Sequence, residues 1–152
     1  MRLWHYDLLP YLPTKQFKAQ LREMLAILSE WRTKGKTNHL TINRVMEYPK
    51  IEFYKYFKDY VILYKKRYKK KVKMSYHGRF FNFVEDELKN YPKDYLVTVR
   101  PFEGWHNEEY LRICMANLYE KYISPGKSKI TDSEWQVLLK GYKKITGKNY
   151  VL

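Results

Sequence analysis

Apolar residues recur at three- and four-residue spacing in four stretches of this chain, and most of the stretches carry their own start and stop signals. The first stripe is Phe17, Leu21, Met24, Leu28 and Trp31, the spacing of one buried helix face. Pro13 and Thr14 supply a stop and an N-cap before it, and Gly35 closes it. The pattern predicts a helix to about Arg32, roughly 28 Å long. The second stripe is Phe53, Phe57, Tyr60, Tyr64 and Tyr68, with Pro49 suited to the first helical position. The third is Leu111, Met115, Leu118 and Tyr122. It opens at Asn107 as N-cap with Glu108 and Glu109 on the positive end of the dipole, and runs to about Ile123 before Pro125-Gly126. The fourth is Trp135, Leu138, Leu139 and Tyr142, introduced by the capping-box spacing of Thr131 and Glu134 and ended by Gly147.

Between these stripes the pattern weakens. Lys34 to Glu47, with Gly35, Thr37, Asn38 and Asn43, reads as a basic connector holding at most a short helical turn. Residues 72–106 are the least patterned. Phe80 to Leu88 suits a short helix, while Tyr95 to Arg100 alternates as a strand does but has no partner strand elsewhere, so it is read as loop. The expectation is an all-α fold: one compact domain over 1–152, of about three to four main helices joined by long basic connectors.

Composition then narrows the function. A chain of 152 residues with a single cysteine, Cys114, has no internal disulfide framework and no multi-cysteine zinc site. Cys114 borders the third stripe without an obvious partner, which suits a buried, inert thiol. No run approaches the roughly 18 apolar residues of a spanning helix. Asp7, Pro10 and Pro13 interrupt the stretch a secretory signal needs. The expected location is the cytoplasm, with no membrane association and no obligate protein partner.

Charge is the strongest bulk signal. Thirty Lys and Arg against sixteen Asp and Glu give a net +14, and each phosphate a cation neutralises releases a condensed counterion. Sixteen Tyr, seven Phe and four Trp interleaved with those cations favour nucleic acid over an anionic membrane, because exposed bases stack on rings. The densest cluster is Lys65, Lys66, Arg67, Lys69, Lys70 and Lys71 at the end of the second helix. A helix C-terminus attracts cations, yet the density exceeds what one helix end needs. The cluster is the first candidate for phosphate contact.

One acidic residue lacks the usual explanation. Glu23 projects about 100° away from Met24 and so off the buried stripe. A surface glutamate often pairs with a cation three or four positions away, but positions 19, 20, 26 and 27 are Ala, Gln, Ala and Ile. Arg22 likewise has no acidic residue at 18, 19, 25 or 26.

The opening MRLWHYDLLPYLP, the segment QFKAQLREM, the later MEYP before an aromatic and basic helix, and WHNEEYLRICMANLYEKY together resemble the pyrimidine-dimer DNA glycosylase family. The resemblance implies a largely helical single domain whose substrate is DNA, a damaged duplex, with no metal or organic cofactor. It implies that the N-terminal α-amine attacks C1′ of the damaged nucleotide, expels the base, and forms an imine from which the backbone breaks by β-elimination. On this pattern Met1 is the nucleophile, Glu23 the essential carboxylate, Arg22 the arginine before it, and Arg2 a DNA-contacting arginine near the terminus. An α-amine ordinarily titrates near 7.7–8.0 and lysine near 10.4, so at neutral pH an α-amine is available as a nucleophile roughly several hundred times more often.

This chain departs from the family pattern at three places. A family member exposes threonine after losing its initiator methionine, whereas Met1 here precedes the bulky Arg2 and is expected to be retained. A family histidine and a family arginine correspond to Gln16 and Ala26, which removes two DNA contacts. Two other readings stay open: a non-catalytic basic nucleic-acid-binding protein on the same scaffold, and a basic partner for an acidic protein or membrane surface. His5, His39, His77 and His106 show no paired metal-ligand spacing and read as surface or hydrogen-bonding histidines. Trp4 and Tyr6, near the nucleophile, suit core packing first and support of a displaced base second. A Gly-rich phosphate loop, a GxSxG elbow and a two-metal acidic cluster are all missing from the sequence.

Overall fold

Boundary residues decide where the helices fall, and the helices account for every regular element among the described residues. The computed structural model describes residues 1–127 and 129–152. It contains a 3-10 helix Tyr6–Tyr11, then α1 (Thr14–Lys34), a second 3-10 helix Ile42–Glu47, α2 (Lys50–Tyr68), α3 (Met74–Leu88), α4 (Tyr95–Thr98), α5 (Glu108–Ile123) and α6 (Asp132–Thr146). The all-α expectation holds, but the described residues form eight helical segments rather than three to four.

The difference lies mainly in 72–106. Helix α3 begins six residues before the expected Phe80. Its N-cap Lys73 makes no side-chain cap bond, so no boundary signal marks the start. Tyr95–Thr98 is a helical turn, closed by the Val99 N–H on the Tyr95 carbonyl at 2.8 Å. Without a strand to pair with, local i to i+4 bonding satisfies the backbone that alternation assigned elsewhere. Two caps sit one residue from their expected places. Thr14 is the first residue of α1, its N–H taken by the Glu134 carboxylate at 2.9 Å. Pro49 is the N-cap of α2.

Contacts sort the chain into two units, Met1–Leu3 with Arg22–Glu103, and Trp4–Leu21 with Gly104–Leu152. The first unit packs around aromatic rings. Phe57 of α2 and Phe80 of α3 stack at 4.0 Å between centroids, and Phe53 meets Phe80 edge-on at 5.2 Å. Trp31 of α1 lies over Phe53 and edge-on to Phe83. Such pairs add about 0.5–1.5 kcal/mol each beyond the area they bury. The basic connector folds on itself, with Asn43 Oδ1 accepting from both the N–H and the hydroxyl of Thr37 at 2.7 and 2.9 Å. Phe102, fully buried at φ 59°, is held in that left-handed conformation by its N–H on Glu52 Oε1 at 2.8 Å.

In the second unit the expected caps are present. Asn107 caps α5 through the Tyr110 N–H, Thr131 and Glu134 form a complete capping box on α6, and Gly147 at φ 75° ends it. Trp135 of α6 stacks on Tyr122 of α5 at 5.3 Å. Gly141 has no side chain because the Tyr11 ring occupies that space. His5 and His106 are buried and stacked at 5.3 Å, with Tyr110 against His106 at 5.0 Å. Asp7 N–H donates to His5 Nδ1, so a neutral His5 donates from Nε2 to the Asn107 carbonyl at 3.1 Å. Cys114 is buried, as its spacing implied.

Candidate active site

Glu23 is carried on the part of α1 that leads away from the N-cap, and its missing intrahelical partner is supplied from the chain terminus. The Met1 α-nitrogen lies 3.5 Å from Glu23 Oε2. The same oxygen accepts the Arg2 main-chain N–H at 2.8 Å. Both groups are shielded without being sealed: the side chains of Met1 and Glu23 are 14% and 30% exposed.

Local sequence explains why the terminus runs this way. Leu3 and Trp4 are buried, which fixes the chain immediately after the site, where termini otherwise fray. One helical turn before Glu23, the fully buried Gln20 accepts the Trp4 N–H through Oε1 at 2.8 Å. Position 20 is thus an interior acceptor for backbone. Gln16 is interior too, 5% exposed.

The structure brings together Met1, Arg2 and Glu23. Arg22 is exposed on the neighbouring position of the helix, and Arg2 is half-buried. The basic cluster lies at the C-terminal end of α2, where Lys65, Lys66, Lys69, Lys70 and Lys71 are exposed and Arg67 is half-buried over the Tyr68 ring at 5.6 Å. Lys69 itself is the left-handed C-cap at φ 56°, its N–H on the Lys65 carbonyl. Among the described residues, no group of three or more His, Cys, Asp or Glu side chains is placed to share a metal ion. None of the described helices is long and apolar enough to cross a membrane.

Residues 1–76, half of the chain, match the family described as pyrimidine dimer DNA glycosylase. The chain belongs to that family, whose function is DNA repair by glycosylase action. The match contains the terminus, α1 with Glu23, and α2 with its basic end. No curated protein and no solved structure matches the chain.

Two elements of the site leave little trace in the sequence. The Arg2 peptide N–H has no signature, because every residue except proline carries one. Gln20 offers a faint signal: a polar residue one turn from an unexplained carboxylate.

Proposed function

We propose that this protein is a DNA glycosylase with abasic-site lyase activity that acts on damaged pyrimidines in duplex DNA through an imine on the Met1 α-amine. The observation that supports this reading is the 3.5 Å between that nitrogen and Glu23 Oε2, in a chain whose family acts on pyrimidine dimers.

The uncharged amine donates its lone pair to C1′ of the damaged nucleotide. The glycosidic bond breaks, its electron pair leaves with the base, and the base takes up a proton. Loss of a proton from nitrogen and opening of the sugar ring, with O4′ protonated, gives the imine between Met1 and C1′. Removal of a proton from C2′ then expels the 3′ phosphate. Positive character develops at the sugar in the first step, and protons move at nitrogen and C2′ afterwards. A carboxylate beside the nitrogen stabilises the one and accepts the others. The target base must leave the stack for this attack, and a damaged base leaves at lower cost.

In this reading Arg2 and Arg22 contact phosphate or the negative charge that develops on the departing base, and Lys65, Lys66, Arg67, Lys69, Lys70 and Lys71 track the backbone. The test is borohydride trapping on duplexes carrying an abasic site or a cyclobutane dimer, with intact mass confirming a free Met1. Wild-type protein forms a covalent adduct, Glu23→Gln forms far less, and α-acetylated protein forms none. Acetylated protein that traps as wild type overturns the proposal. Salt-sensitive binding with no adduct from any form leaves the non-catalytic binding module instead.

A further inference from the structure

We infer that the Arg2 peptide N–H, rather than the charge on the terminal amine, is what holds Glu23 beside the nucleophile when the amine is in its reactive form. The inference rests on the amine-nucleophile reading above and assigns a positioning role to a main-chain group.

Two donors meet one oxygen, and they differ in kind. The amide lies at 2.8 Å from Glu23 Oε2 and the amine at 3.5 Å. The first distance is that of a well-formed N–H···O bond to an anion, and the second is beyond the usual range. The amine contact is therefore a charge contact more than a hydrogen bond. Its attraction exists only while the amine is protonated, and a protonated amine has no lone pair to attack with. At the moment of reactivity the ion pair is gone, and a partly exposed carboxylate with no other tie swings into solvent.

The amide removes that conflict. A peptide N–H does not titrate in this range, so its bond to the carboxylate persists across the amine's change of charge. It is also bonded through the Met1 carbonyl carbon and Cα to the terminal nitrogen. Fixing the amide leaves the amine one backbone rotation from the same oxygen, free to turn its lone pair outward. Among the described residues, Glu23 Oε1 receives no hydrogen bond, which leaves that oxygen for the sugar and its protons. One oxygen positions and the other reacts.

The test separates the Arg2 amide from the Arg2 guanidinium. Arg2→Ala keeps the N–H and loses the cation; Arg2→Pro loses both. The proline variant is made with methionine aminopeptidase inhibited, and Met1 is confirmed by intact mass. Single-turnover borohydride trapping on a single-stranded oligonucleotide with an abasic site is measured at rising DNA concentration. Arg2→Ala is expected to need more DNA for half-maximal rate, and its maximal rate is the reference for loss of the guanidinium alone. Arg2→Pro is expected to share that weaker binding and to fall at least about tenfold in maximal rate below Arg2→Ala, with an unchanged melting temperature.

A second measurement needs no proline. In ¹⁵N-labelled wild type, the Arg2 amide resonance should remain distinct from that of Glu23→Leu from about pH 6 to about pH 9.5, across the range where an α-amine ordinarily loses its proton. Convergence of the two above that range overturns the inference, since charge alone then made the contact. Equal maximal rates for Arg2→Pro and Arg2→Ala, with wild type trapping normally, overturn it as well. No trapping by wild type overturns the proposed chemistry, and this inference with it.

Discussion

Glu23 Oε2 accepts from the Arg2 amide at 2.8 Å while the Met1 amine stands 3.5 Å from the same atom. A single carboxylate oxygen thus gathers the first two nitrogens of the chain. This tertiary arrangement answers the question posed by a helix glutamate with no cation three or four positions away.

Replacing Glu23 separates its charge from its place. Glu23→Gln keeps an oxygen for the Arg2 N–H but cannot stabilise a developing cation or accept a proton. The lyase rate on abasic-site DNA is expected to fall by roughly 10²–10⁴-fold. Stability should change by less than about 1 kcal/mol, the usual worth of a partly exposed ion pair. Single-turnover rates and urea unfolding on the same preparation check both halves. Equal loss of fold and rate contradicts the assignment.

The basic end of α2 should act on binding and not on chemistry. Exchanging Lys65, Lys66 and Lys70 for glutamine is expected to weaken binding to damaged and undamaged duplexes alike. The slope of log affinity against log salt should drop by about 0.9 for each phosphate that is no longer neutralised. Lys69 has φ 56°, so it is exchanged for asparagine, which tolerates that conformation. A maximal trapping rate that falls with the affinity contradicts a purely electrostatic role.

Glu52 sets a pH dependence of stability. Burial raises its pKa above the ordinary 4.5, the Glu103 charge adds to this, and the hydrogen bond from the Phe102 N–H opposes it. The folded state therefore holds the Glu52 proton more tightly than the unfolded state does. The stability this contributes is complete below 4.5 and lost as pH rises through the folded value. Glu52→Gln resembles the protonated form and keeps an acceptor for Phe102. It is expected to be more stable than wild type near neutral pH, with the gap closing toward about pH 4. Urea midpoints at the two pH values measure this, and a gap that widens on acidification refutes it.

Gly141 is required by space and not by backbone conformation. A methyl group there meets the Tyr11 ring at its attachment atom, where the side chain has little freedom to move. Gly141→Ala should cost about 1–3 kcal/mol, despite alanine's better helix propensity. The melting temperature should fall by several degrees, and Tyr11→Ala with Gly141→Ala should recover part of the loss.

Elements with chemical punctuation are legible in the sequence. Helix α5 follows from Asn107, Glu108 and Glu109, and α6 from the Thr131–Glu134 box and Gly147, because caps are local chemistry. Helix α3 lacks a capping side chain and carries Gly78 within its first turns, so only its apolar end stands out. The helical turn at Tyr95–Thr98 is masked by an alternating pattern, which makes a strand only where another strand exists to pair with. In the site, Glu23 stands out through what its helix fails to supply. Gln20 and the Arg2 amide stay hidden because each works through backbone. The His5–His106 stack joins residues far apart in the chain, a contact that no local pattern encodes.

The most direct test of the account is the location of the adduct. Wild-type protein trapped with borohydride on an abasic-site oligonucleotide is digested, and the peptides are sequenced by mass spectrometry. The account predicts the reduced sugar fragment on the Met1 α-nitrogen, with none detected when Glu23 is leucine. A sugar fragment on a lysine side chain such as Lys65 or Lys66, with the Met1 amine unmodified, contradicts it.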